Sequence, residues 1–173
     1  MLLNADGPHL RASRIRSPDS VARLRYDRAM NETATLPDRA ITLHPCWAWA
    51  VAHASKRIEN RSWPTKYRGL IYIHAGCGGV KRDDRASLTR RVAHAGIAYP
   101  DESSFTRGAL VAIADLFDCV KLPEAQLGAW GCSGSWHFLL RDVRPLPRPI
   151  PMNGKLGIWR VDHGSPPLQI DAL

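Results

Sequence analysis

The sequence predicts an α+β fold built around a small mixed β-barrel with two or three flanking helices. Three observations predict it. Apolar runs of strand length recur at 40–44, 69–75, 108–120, 135–142 and 156–161. Two segments of helical length, 45–55 and 80–95, lie between them. Connections rich in Pro and Gly separate these runs, as turns require.

Each element has a local reason. Residues 40–44 form a short strand, and Pro45 follows where a first helical turn tolerates a missing N–H. Within 45–55, Trp47, Val51 and Ala54 recur at helical spacing and share one face, while Trp49 and His53 share another. Residues 57–62 read as a short extended stretch, with a turn at Trp63–Pro64. In 69–75, Leu70, Ile71, Tyr72 and Ile73 are apolar on both faces, as a buried strand is, and Gly76, Gly78 and Gly79 end the run. Residues 80–95 are a charge-rich helix closed near Gly96, followed by a loop over 99–107. The strongest strand is 108–120, nearly continuously apolar from Leu110 to Phe117. A loop over 122–135 carries Trp130 among Gly128, Gly131 and Gly134. Residues 135–142 form a strand, 143–151 a Pro-punctuated run, and 156–161 the last strand.

The chain has 173 residues, 45% apolar and 23% charged, which is the composition of one folded domain. A chain of that size buries roughly two-thirds of its unfolded surface and needs no disulfide or metal to fold. Residues 1–36 differ from the rest: Arg11, Arg14, Arg16, Arg23, Arg25 and Arg28 occur without a helical period. They read as a mobile leader, 37–165 as the domain, and 166–173 as a C-terminal tail. Met30 is an alternative start. No apolar run reaches the roughly 18 residues of a membrane span, and the N-terminus has no apolar core of a secretory signal. Cys46, Cys77, Cys119 and Cys132 form no C-x-x-C pair, which fits reduced, mostly buried thiols in a cytoplasmic protein.

Lys and Arg number 24 against 16 Asp and Glu, a net charge of +8 that favours acidic partners, nucleic acid above all. The richest segment is 43–69. It interleaves Trp47, Trp49 and Trp63 with Lys56, Arg57, Arg61, Lys66 and Arg68, a pattern suited to stacking bases while holding phosphates. Trp47 on the apolar face of a helix is equally a core residue. The lone acid, Glu59, is ionised and paired among Lys56, Arg57 and Arg61, either as a structural ion pair, an acceptor for a base edge or a general base. In a regular strand Lys56 and Glu59 face opposite sides. They share a side only if Lys56 belongs to the turn before the strand.

This segment resembles the ASCH domain family (activating signal cointegrator homology). Ala54-Ser55-Lys56-Arg57-Ile58-Glu59-Asn60-Arg61 matches the signature G-x-K-x-x-E-x-R in its Lys, Glu and Arg, with Ala54 in the Gly position. The flanks are similar to bacterial members: P-x-W-A-W, then E-N-R-S-W-P-T, Y-R-G before an apolar strand ending in His-Ala, D-V-R-P-L at 142–146 and G-x-L-G-I-W-R-V at 154–161. The resemblance spans roughly 40–161. It implies a PUA-like barrel with a cleft between barrel and helices, lined by Lys56, Glu59 and Arg61. It implies RNA or a modified nucleotide as ligand. A few members are amidohydrolases on N4-acetylcytidine and one branch is described as a ribonuclease. The hydrolases use a Lys, a Thr and a distant Glu; Lys56 matches the first, while Glu59 stands at the Thr position. The Ala54 methyl stands to alter how closely a ligand approaches the backbone.

The expected interface comprises Trp47, Lys56, Glu59, Arg61, Trp63, Lys66, Arg68, Trp136 and Lys155, with Trp49 a further stacking candidate. Asn153 and Lys155 lie in a Gly-containing turn where they would close the cleft rim. If the protein is an enzyme, Lys56 is the base or electrostatic stabiliser and Glu59 orients water. No cofactor or metal is expected: His44, Cys46, His74 and Cys77 lack finger-like ligand spacing. Gly76-Cys77-Gly78-Gly79 lacks the G-K-[ST] ending of a phosphate loop. A protein-interaction adaptor acting through residues 1–36 is the alternative from another class, and no protein partner is specified.

Overall fold

The computed structural model describes residues 36–163, so the leader and the C-terminal tail expected from sequence lie outside the described residues. Eight elements follow in order: β1 (Arg39–Leu43), α1 (Pro45–His53), β2 (Ile58–Arg61), β3 (Gly69–Ala75), α2 (Arg82–His94), β4 (Ala109–Val120), β5 (Trp136–Pro151) and β6 (Ile158–Arg160). Single 3-10 turns at Glu102–Ser104 and Glu124–Gln126 punctuate the two long loops.

The six strands form one mixed sheet in the order β2-β5-β4-β3-β1-β6. Among the described strands, only β1 and β3 run parallel, in register Ala40 with Tyr72 through Leu43 with Ala75. The α+β class and the barrel-like architecture hold, in the form of a half-barrel flanked by two α-helices.

Period-two alternation distributes the core over both sheet faces. Ile41, Leu43, Ile71, Ile73, Leu116, Phe138 and Leu140 pack with Val51 of α1 on one face. Ala40, Tyr72, Leu110, Ile113, Leu146 and Trp159 pack on the other. A third cluster joins the helices: Cys46, Ala50 and Ala54 meet Leu88, Val92, Phe105 and Trp130. Being covered from several sides, α1 buries Pro45, Cys46, Ala48, Ala50 and Val51 and shows no polar face. Trp47 contributes to both clusters that α1 touches, so Val51 and Ala54 do not share a single core as their spacing suggested.

Several boundaries differ from the sequence reading. The first helix ends at His53, not at residue 55, because Ser55 adopts a left-handed φ of 55°. The second begins at Arg82 rather than at residue 80. The last strand shrinks to Ile158–Arg160. The Pro-punctuated run is no separate segment: β5 continues through it to Pro151. Pairing of Ala112 with Pro145 is followed by Leu110 with Ile150, so four β5 residues, 146–149, stand against Val111 alone on β4. Beyond Leu139, β5 has no β2 partner, and a strand edge without a neighbour is where prolines are tolerated. Two of the four thiols, Cys46 and Cys119, are buried, while Cys132 is half-buried and Cys77 exposed; all four are free. Among the described residues, no helix is long and apolar enough to cross a membrane.

Candidate functional site

The helix-to-strand junction places Lys56. The backbone N–H groups of Ala54 and Lys56 both donate to the Ala50 carbonyl, at 3.0 and 3.1 Å. Arg57 swings back and donates from Nη1 to the Val51 carbonyl at 3.0 Å. These bonds satisfy carbonyls that a helix end otherwise leaves bare. The left-handed Ser55 turns the chain so that Lys56 precedes β2 instead of joining it. Lys56 and Glu59 therefore meet on one side, which a regular strand forbids.

Both side chains are buried. Lys56 Nζ donates to the Ile58 carbonyl at 2.6 Å and to Glu59 Oε2. Its third N–H has no partner among the described residues. Burial lowers the Lys56 pKa from its ordinary value, opposed by the Glu59 charge and hydrogen bond. Arg61 Nε lies 3.1 Å from Glu59 Oε1, but its N–H is not aimed at that oxygen, so the contact is purely electrostatic. Arg61 Nη2 donates instead to the Thr42 carbonyl at 2.8 Å, tying β2 to β1. Glu59 is thus paired with two of its three expected cations, while Arg57 caps the helix.

Lys56 and Glu59 line a cleft of about 330 Å³ together with Trp47, Asn60, Asp83, Asp84, Ser87, Arg91, Trp130 and Cys132. One wall is α2. There Arg91 donates from Nε to Ser87 Oγ at 3.2 Å and from Nη1 to the Ala129 carbonyl, with Nη2 at 3.2 Å from Cys132 Sγ. Asn60 grips the same loop from β2, donating to the Trp130 carbonyl at 2.9 Å and accepting from the Cys132 N–H at 2.8 Å. Gly131 permits this tight path, since a Cβ there would lie 2.7 Å from the Leu127 side chain. Asp84 fixes the other indole: it accepts from Trp47 Nε1 at 3.0 Å and holds His44 Nδ1 at 2.6 Å.

Of the residues singled out from sequence, the cleft brings together Trp47, Lys56 and Glu59. Arg61 reaches it only through Glu59. Trp63 packs edge-on against Phe138, ring centroids 5.1 Å apart. Trp136 packs on the same core, with Lys121 Nζ 5.3 Å from its ring centre. Arg68 pairs with Asp118 at 2.9 Å and Lys66 is exposed. The Lys155 carbonyl accepts from Thr42 Oγ1 at 3.0 Å, and its ammonium lies over Trp159; neither it nor Asn153 lines the cleft. Trp49 packs against Phe105 and His53. The Ala54 methyl is buried between the helices and does not line the cleft.

The α2 wall was missed, yet it left a trace. Asp83, Ser87 and Arg91 stand four residues apart, a polar stripe beside the buried Leu88 and Val92. Only the partner of that stripe was invisible in the sequence.

A half-barrel sheet with two helices, and a cleft where the Lys-x-x-Glu turn meets a helix, define the class. A family model described as the ASCH domain matches residues 41–140. The chain belongs to the ASCH domain family. Among curated proteins it is similar to activating signal cointegrator 1 of Mus musculus, 25% identical over 129 residues, and to that of Homo sapiens, 23% identical over 129 residues. Each match covers 70% of this chain, and the chain spans about a fifth of the relative's length, 22%. Among solved structures, a crystal structure of a mutant ZmASCH protein from Zymomonas mobilis is similar at 20% identity and a TM-score of 0.41, over 72% of this chain and 89% of that one.

Proposed function

We propose that this domain binds RNA or a modified nucleotide, with one nucleobase seated in the cleft. The observation that carries the reading is the cleft itself. Its volume, about 330 Å³, is that of a small-ligand site. Two indoles line it beside the buried Lys56–Glu59 pair, so an aromatic ring finds both a stacking surface and fixed hydrogen-bonding groups. Trp63, Lys66, Arg68, Trp136 and Lys155 lie outside the cleft and would meet flanking nucleotides. Replacing Lys56 and Arg61 together by Ala is expected to weaken RNA binding by about tenfold, on the order of 1.4 kcal/mol, in a filter-binding titration. Unchanged affinity would remove the cleft as the site.

One observation favours a second reading, hydrolysis of an N4-acylated cytidine or of RNA. A buried lysine held below its ordinary pKa suits a proton acceptor better than a solvated one does. Lys56 would take or stabilise the proton and Glu59 would orient water. Incubation with N4-acylated cytidines and with single-stranded RNA, followed by chromatography, tests it. Turnover abolished by Lys56→Ala supports an enzyme; no product from either substrate leaves a binding module.

A further inference from the structure

The cleft of a strongly basic chain is not itself basic. Three carboxylates line it, from Glu59, Asp83 and Asp84, against two cations, Lys56 and Arg91. The cations are already engaged. Arg91 spends its guanidinium on Ser87, on the Ala129 carbonyl and on the Cys132 sulfur. Lys56 has given two of its three N–H groups to Ile58 and Glu59. The Asp83 carboxylate, by contrast, makes no hydrogen bond or ion pair among the described residues and stands exposed at the rim. Glu59 and Asp84 have partners of their own, so the groups left open include the Asp83 carboxylate as an acceptor and one buried Lys56 N–H as a donor.

A phosphate placed here would face three carboxylates and find no uncommitted guanidinium. A neutral heteroaromatic ring fits better. Its amino group would supply donors to the carboxylates, and one ring acceptor would take the remaining Lys56 N–H. We propose that the cleft selects a nucleobase bearing an exocyclic amine and leaves the phosphates outside it. Resting on the binding function proposed above, this inference names the edge that is read. Exposed cations on α2 and just before it, Lys81, Arg82 and Arg90, lie where they could take the backbone instead.

Titrating the full-length protein with cytidine, adenosine, guanosine and uridine, followed by tryptophan fluorescence, tests the edge. The tightest amine-bearing nucleoside is expected to bind about tenfold better than uridine. Asp83→Asn is expected to shrink that preference to about threefold or less, a thermal melt confirming that the variant folds. Inorganic phosphate and pyrophosphate are expected not to displace the nucleoside. Equal binding of all four nucleosides, an unchanged preference in Asp83→Asn, or displacement by phosphate would overturn the inference while RNA binding survives. Failure of every nucleoside and of RNA to bind would overturn the proposed function with it.

Discussion

Burial strips water from the Lys56 ammonium and lowers its pKa from the ordinary 10.5, while Glu59 pulls the other way. The sign of the consequence is fixed. Folded Lys56 holds its proton less tightly than the unfolded chain does. Its penalty is therefore fully present below the folded pKa and is relieved as pH rises toward 10.5. Glu59→Gln removes the counter-charge from a lysine side chain that is 3% exposed. Leaving a buried charge unpaired is expected to cost about 3 kcal/mol near neutral pH. The cost should shrink as pH rises toward 10.5, since the lowered pKa lets the amine lose its charge below that value and accept from the amide. Urea unfolding of wild type and variant at both pH values measures it. An identical cost at both would mean that Lys56 is not charged in the fold at neutral pH. The three charges were visible in the sequence, but their pairing was not. Arg57 stands as near to Glu59 in sequence as Arg61 does, yet only tertiary position sends one to a helix carbonyl and the other to the carboxylate.

At the scale of elements, the junction between α1 and β2 decides whether the site exists. Ser55 holds a left-handed φ of 55°, a conformation costing a residue with a Cβ roughly 1–2 kcal/mol. It is accepted because continuing α1 would carry Lys56 away from Glu59. Ser55→Gly is expected to leave the melting temperature unchanged or raise it, whereas Ser55→Val should destabilise by about 1–2 kcal/mol and loosen ligand binding along with it. A Val variant as stable as wild type would show that the turn is not strained. The opposition of Lys56 and Glu59 in a regular strand is legible from spacing alone, and it already requires a turn at this point. Strand β3 was fully legible, since apolar residues on both faces between glycines leave little else to form. The continuation of β5 was not. Prolines mark a strand's end only where a neighbour needs their N–H, and past Leu139 no β2 partner does.

At the scale of the molecule, the cleft draws on three segments, 47–60, 83–91 and 130–132, and only the first carried a motif. The α2 wall answers to no signature because its residues are chosen by what they face. Charge tells a related story. Residues 1–36 hold six arginines against Asp6, Asp19, Asp27 and Glu32, leaving a net +6 of the total +8 beyond them. Since the cleft has a surplus of carboxylates, that positive charge lies elsewhere on the rest of the chain. Two energies then separate. Base binding in the cleft should be nearly independent of salt, whereas RNA binding should weaken along a log–log line, each phosphate contact adding about 0.9 to the slope for a duplex and about 0.7 for a single strand. With the phosphate contacts on the folded domain, deleting residues 1–36 and their six arginines is expected to leave the single-stranded RNA slope unchanged. Titrations of RNA and of a nucleoside between about 50 and 200 mM salt, on both forms of the chain, measure the two terms separately. Collapse of the RNA slope on deletion would place the nucleic-acid contact on the leader and leave the cleft with the base alone.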